Sequence, residues 1–189
     1  TVTDDIDSNG TIDNTKDISN DISFGSIFLE FTNENVGPGS LTFGIDVIPA
    51  SAEFDTRSTT QSSVKEKGSA TTTGTNKGTV DVDRHVTLYI QPGVTTANGI
   101  TLFGTLGYVT ADVDAKVESI SSTNKTQALS LDGVKWGLGL KKDFANSMFV
   151  RLEYAETDYD DISVTTSNNT KVTADMDNQT VGLSIGRKF

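Results

Sequence analysis

The segment from Asn178 to Phe189 alternates between apolar and small or polar side chains, and this pattern restricts the fold more than any other feature. Val181, Leu183, Ile185 and Phe189 share one face of the predicted strand, while threonine, serine and glycine share the other. In a soluble protein the apolar face would cover a core, and the chain would usually continue into a cap or tail. A strand of this pattern at the end of a sequence is more typical of a transmembrane β-barrel. We therefore expect the four apolar residues to face lipid.

The composition excludes a helical membrane protein but allows a barrel. The 189 residues suit one domain, residues 1–189, and only 34% of them are hydrophobic, with a mean hydropathy of -0.28. No stretch approaches the roughly 18 consecutive apolar residues of a membrane-spanning helix. A barrel strand needs an apolar residue only at every second position, so low hydropathy does not count against it.

The charge and the cysteine count exclude further classes. The net charge is -11, from 15 basic and 26 acidic residues, and it argues against nucleic-acid binding, which requires positive charge. The sequence contains no cysteine, so disulfides and thiolate metal sites are ruled out.

Alternating residues predict seven strands, and the connections between them follow a rule. Short connections at 33–40, 91–99 and 143–147 alternate with long polar ones at 51–79, 112–130 and 157–177. Up-and-down antiparallel barrels sort their loops in this way, because short turns face the periplasm and long loops face outside. A Greek-key sandwich has no reason to do so. The predicted strands are 23–32, 41–47, 81–91, 100–108, 134–141, 148–155 and 178–189.

An odd number of strands leaves the predicted barrel incomplete. Bacterial single-chain barrels have an even strand number, and an open sheet edge in lipid leaves backbone groups unpaired. We therefore expect an all-β, eight-stranded barrel whose first strand, about 10 residues long, lies upstream of Thr1. Residues 1–21 would form the first external loop and residues 23–189 the seven visible strands. The alternative is that Thr1–Asp5 is itself a shortened strand.

The C-terminal strand ending in Phe189, preceded by the strand Met148–Tyr154, resembles the small outer-membrane β-barrel family of Gram-negative bacteria, which includes OmpA/OmpX-like and porin-like barrels. The resemblance implies an outer-membrane location, contact with lipid and lipopolysaccharide, and recognition of the last strand by the barrel-assembly machinery. Val181, Leu183, Ile185 and Phe189 would form that assembly signal. Arg187 departs from the family, which usually has an apolar residue there, and its long side chain can reach lipid headgroups.

Charged residues share the face that would point into the lumen. An eight-stranded barrel is filled by its own side chains, and buried charges must pair to be tolerated. An internal network of ion pairs is therefore the favoured interpretation, and a narrow path for ions or small solutes is the alternative. The predicted lumen network comprises Glu30, Asp46, Asp83, His85, Lys135, Arg151 and Glu153.

His85 is the only histidine and thus the only candidate for a histidine base. Nucleophilic catalysis requires such a base within hydrogen-bond reach of a hydroxyl that it activates. Thr87 lies two residues further on the same face, and no serine is adjacent. We interpret His85 as a polar lumen residue and expect no enzymatic activity.

The segment Asp5–Asp13 matches the first nine positions of a calcium loop, D-x-[DN]-x-[DN]-G. Asp5, Asp7, Asn9 and Asp13 would supply side-chain oxygens and Thr11 its backbone carbonyl, which suits a hard cation. Lys16 occupies the twelfth position, where a glutamate is expected. A solvated acidic turn is therefore favoured, and any calcium affinity would be weak, with a Kd of about 10⁻⁴–10⁻³ M. We expect no other cofactor.

Three functions remain open. The first is an outer-membrane barrel with a structural role and surface recognition through its external loops. The second is a small porin for ions or small solutes. The third, from a different class, is a secreted soluble β-sandwich that binds calcium or sugar.

Overall fold

The computed structural model is all-β in the part that it describes, which is residues 1–5, 10–17, 19, 21–36, 39–49, 52–64, 72–119, 122–165 and 171–189. None of these residues forms a helix long and apolar enough to cross a membrane. The strands are β1 (Val2–Asp5), β2 (Asn14–Lys16), β3 (Ile27–Val36), β4 (Gly39–Ile48), β5 (Ala52–Val64), β6 (Thr72–Thr95), β7 (Ile100–Ser119), β8 (Ser122–Asp143), β9 (Met148–Tyr159), β10 (Ile162–Thr165), β11 (Lys171–Ala174) and β12 (Asp177–Arg187).

The large sheet has the order β12-β9-β8-β7-β6-β4-β3, with β5 attached to β6, and every pairing in it is antiparallel. The seven strands of this path correspond to the seven that the alternation predicts. Tight turns connect β6 to β7 and β8 to β9. Gly99 and Ser147 adopt positive φ in these turns, where the chain reverses.

The large sheet is strongly staggered and curls on itself. Following the hydrogen-bonded register from Phe28 across β4, β6, β7 and β8 leads to Tyr159, near one end of β9. In space, however, the Phe28 ring lies 6.0 Å from that of Phe149, near the opposite end of β9. Strand tilt and stagger of this kind are what close a sheet into a barrel.

The long connections contain more strand than the sequence predicts. Strands occur in all three connections. β5 and the beginning of β6 lie in 51–79, the outer halves of β7 and β8 in 112–130, and the pair β10 and β11 in 157–177. Because these stretches are rich in polar residues, they were expected to be loops. Their threonine and valine residues nevertheless favour extended backbone, and pairing satisfies the backbone groups. Pro49 separates β4 from β5, and both strands pair with β6.

Residues 1–21, expected to be an external loop, also contain strand. β1 and β2 form a second sheet with the order β10-β11-β1-β2. Thr1 and Asp175 exchange both backbone hydrogen bonds, at 2.8 and 2.9 Å. The short strand β1 therefore belongs to this outer sheet and not to the large one.

The edge strands β3 and β12 run in the same direction, since six antiparallel steps separate them. No other strand in the described residues pairs with their outer edges. A strand between them would have to be antiparallel to both. In the second sheet, β1 is likewise antiparallel to its neighbour β11. The eighth strand stays a prediction.

The two faces of the large sheet have the reverse of the usual polarity. Large apolar side chains such as Leu29, Leu138 and Leu183 are exposed on the outside, whereas Thr105, Gln91 and Arg151 are buried inside. Soluble proteins bury the former and expose the latter. The outside of the sheet is therefore suited to lipid.

Candidate functional site

The interior of the sheet, called the lumen here, is organised around Arg151 on β9, of which only 3% is exposed. Its Nη1 donates to Oε1 of Glu30 on β3, forming a buried ion pair. The Tyr89 hydroxyl on β6 donates to the same carboxylate oxygen at 2.6 Å. Glu30 thereby joins three strands that are far apart in sequence.

The same network continues to β8 through polar side chains. Arg151 Nη1 donates to Gln91 Oε1 at 3.4 Å, and Gln91 Nε2 donates to Thr105 Oγ1 at 3.0 Å. The Thr105 hydroxyl donates to Glu153 Oε1 at 2.5 Å, and Lys135 Nζ lies 3.6 Å from Glu153 Oε2. The network contains two cations and two carboxylates, so its buried charges neutralise each other.

Aromatic rings fill the lumen next to this network, on the side of the short turns. Phe103 and Phe149 are each 5% exposed. Each ring occupies the space over a glycine of a neighbouring strand: a Cβ at Gly139 would lie 2.2 Å from Phe103 Cζ, and one at Gly186 would lie 2.2 Å from Phe149 Cζ. The glycines are therefore required for ring packing and not for backbone flexibility.

An apolar cluster fills the lumen on the opposite side of the network. Ala111, Val113 and Leu131 are almost fully buried, and Ile162 and Met176 from outside the large sheet pack against them. This cluster lies in the outer halves of β7 and β8, beyond the lipid-suited surface. We call these outer halves, together with β5, the beginning of β6, β10 and β11, the outer extension. The outer extension thus has an apolar core of its own.

Other predicted lumen residues lie apart from the Arg151 network. His85 Nε2 lies 3.0 Å from the Tyr159 hydroxyl and does not bond to Thr87, while Asp46 accepts a hydrogen bond of 2.8 Å from Ser26. Burial raises the pKa of Tyr159 to about 12. The side chain of Asp83 lies outside the described side chains. The structure thus joins Glu30, Lys135, Arg151 and Glu153 in one network, whereas the hydrogen bonds of His85 and Asp46 go to residues outside it.

Several residues of the filled lumen were not predicted because they are uncharged, and only charged residues on the inner face were expected to form the network. Tyr89 and Gln91 share the face of His85, and Phe103, Thr105 and Phe149 point inward from β7 and β9. Applying the two-residue period to every residue type, and pairing inward aromatics with glycines on adjacent strands, would have found them.

The short-turn rim is held together by Lys188, immediately after β12. Its Nζ donates to Asp143 Oδ2 at 2.7 Å and to Glu34 Oε1 at 3.0 Å. Burial lowers the pKa of Lys188, but the two carboxylates outweigh this effect and raise it. The residues of the expected assembly signal, Val181, Leu183, Ile185 and Phe189, are all exposed on the outer face.

The expected calcium loop is only partly described. Asp5 is largely buried and accepts a hydrogen bond of 2.8 Å from the backbone N–H of Gly10. Asp7 and Asn9 lie outside the described residues, while Thr11 and Asp13 lie in an exposed segment. Among the residues that the structure describes, no group of three or more acidic or histidine side chains is arranged to hold a metal ion.

Comparison with known proteins agrees with the geometry. The model of the outer membrane protein β-barrel domain family matches residues 5–189. No curated protein and no solved structure gives a match. A lipid-suited outer surface, a filled polar lumen and a family match over nearly the whole sequence lead to one assignment, which excludes the soluble sandwich: this chain belongs to the outer-membrane β-barrel domain family and is an outer-membrane protein.

Proposed function

We propose that this protein is a non-conducting barrel of a Gram-negative outer membrane, with a structural role and with surface recognition carried by its outer extension. The observation that carries the proposal is the filled lumen. Three consecutive layers of buried side chains fill it. They are the aromatic layer with Phe103, the polar network with Arg151 and the apolar cluster with Ala111. An open path for ions would need a gap through all three.

The porin alternative is disfavoured by the chemistry of the network. A conducting path needs polar groups that remain accessible to water and ions. Here the Arg151 and Glu30 side chains are 4% and 10% exposed and are bonded to each other. Opening a path would separate a buried ion pair, which is energetically costly.

The outer extension supports the recognition role. β6, β7 and β8 have 24, 20 and 22 residues, whereas a strand needs only about ten to cross the bilayer. The extension has the apolar cluster as its core and would present its loops in a fixed arrangement. We extend the proposal to contact with lipopolysaccharide or a surface partner through these loops, to insertion by the barrel-assembly machinery through the last strand, and to the absence of catalysis at His85.

Conductance in planar lipid bilayers tests the proposal. We expect no discrete channel steps from the folded protein. A variant in which Arg151, Phe103 and Leu131 are all replaced by alanine removes one large side chain from each of the three layers and should show steps or raised leak. Regular steps from the unsubstituted protein, of the same size as those of the triple variant, would establish the porin function instead.

A further inference from the structure

Two basic side chains face outward at the short-turn rim, at the end of the lipid-suited surface. Arg187 continues the outward series of Leu183 and Ile185 on β12, and Lys142 continues that of Leu138 and Leu140 on β8. The register places Lys142 opposite Val150, and Val150 opposite Ile185. Lys142 and Ile185 are therefore two strands apart, and Arg187 lies two residues beyond Ile185, so Arg187 and Lys142 are roughly 12 Å apart along the sheet.

The charges of these two residues are not neutralised within the described part of the chain. Neighbouring Lys188 binds two carboxylates, Glu34 and Asp143. The Arg187 guanidinium instead lies 5.9 Å from the centre of the Phe189 ring, and Lys142 donates to the backbone carbonyl of Asn98. Neither residue forms an ion pair with a described carboxylate. The positive charge at this place is available to an external anion.

We propose that Arg187 and Lys142 form a binding site for the phosphate of an anionic glycerophospholipid in the periplasmic leaflet. Acyl chains lying on Val150 and Ile185 place a headgroup phosphate at the level of the two cations. A guanidinium binds phosphate through two parallel hydrogen bonds, and a lysine acts as a point charge beside it. An acidic periplasmic protein is the less suitable partner, because both basic residues continue the outward apolar series of their strands and so flank the lipid-suited surface.

Quenching of tryptophan by brominated lipids tests this site directly. The chain has one tryptophan, so Trp136→Phe combined with Phe144→Trp moves the single fluorophore into the turn two residues after Lys142. This double variant is folded into phosphatidylcholine vesicles that contain brominated phosphatidylglycerol or brominated phosphatidylcholine. We expect stronger quenching by the anionic lipid, with a relative affinity that falls about fivefold for each of Arg187→Gln and Lys142→Gln.

The adjacent residue provides a matched control. Lys141 points into the lumen, with its Nζ 5.5 Å from the centre of the Phe149 ring. Lys141→Gln removes the same charge one residue away and should keep the preference for the anionic lipid, as should Arg187→Lys. Heat-modifiable migration on a gel verifies that every variant is folded. Equal quenching by the two lipids in the parent, or an equal loss in Lys141→Gln, would overturn the proposal.

Discussion

Replacing Arg151 by methionine tests the ion pair at the centre of the lumen network. The substitution keeps much of the side-chain volume but leaves Glu30 without its ion-pair partner. Tyr89 still donates to Glu30, and Gln91 loses its hydrogen bond from Arg151. The buried carboxylate then has to be protonated or hydrated, and both are unfavourable.

The expected loss of stability is large, because removing one partner of a buried ion pair typically costs about 3–5 kcal/mol. The double variant Glu30→Gln with Arg151→Met leaves no uncompensated charge and should recover most of this loss. Arg84 and Asp112 provide the matched comparison, since they form an ion pair with exposed side chains, 82% and 49%. Arg84→Met should cost less than about 1 kcal/mol.

Urea unfolding in lipid vesicles, followed by Trp136 fluorescence, measures all four proteins. With the single variant Glu30→Gln added, the double-mutant cycle gives the coupling energy of Arg151 and Glu30. If Arg151→Met costs no more than Arg84→Met, the network is hydrated in the folded protein and the lumen is not filled by side chains.

Three further predictions use other parts of the barrel. Gly186→Ala should destabilise the protein by about 1–3 kcal/mol because the added Cβ would meet the Phe149 ring. A Cβ at Gly182 on the same strand would have no atom within 4 Å, so Gly182→Ala should be neutral. Equal urea midpoints of the two variants would refute the ring packing. Lys188→Met should lower stability by about 1 kcal/mol or less. The pKa of Lys188 in the folded protein is raised above 10.5. The contribution of Lys188 to the free energy of unfolding is therefore complete below pH 10.5 and disappears as the pH rises through the folded pKa. A loss of stability in Lys188→Met that does not change with pH would contradict the ion pairs. Isothermal titration with Ca²⁺ should detect only weak binding at residues 5–13, with a Kd of about 10⁻⁴–10⁻³ M. Loss of the heat signal in Asp5→Asn would locate the site there, whereas an unchanged signal would place it elsewhere.

Seven of the eight strands of the large sheet, all but β5, could be predicted from the sequence because lipid imposes a strict rule on them. Every second residue has to be apolar, as Leu138 and Leu140 on β8 illustrate. The outer extension obeys no such rule. Its strands face water on one side, so threonine and other polar residues are tolerated, and the segment 112–130 resembles a loop although β7 and β8 pair through most of it.

The partners within the lumen could not be predicted, because they depend on strand tilt. Alternation places Glu30 and Arg151 on the inner face, but it does not show which inward residues meet across the lumen. The stagger between β3 and β9 decides that, and stagger is a property of the curled sheet as a whole. The aromatic layer has the same origin, since Phe149 covers Gly186 only in the register that the structure adopts.

The length of the strands connects the filled lumen with the outer extension. β7 has 20 residues, about twice what a tilted strand needs to cross the bilayer, and it continues without interruption from Thr105 in the polar network to Val113 in the apolar cluster. A porin would gain nothing from an apolar cluster at its outer mouth, because the cluster blocks the path to its polar lumen. For a protein that displays surface loops, the same cluster stabilises the extension where no lipid is present to cover apolar side chains. The apolar cluster therefore favours the display function over conduction, independently of the Arg151 network.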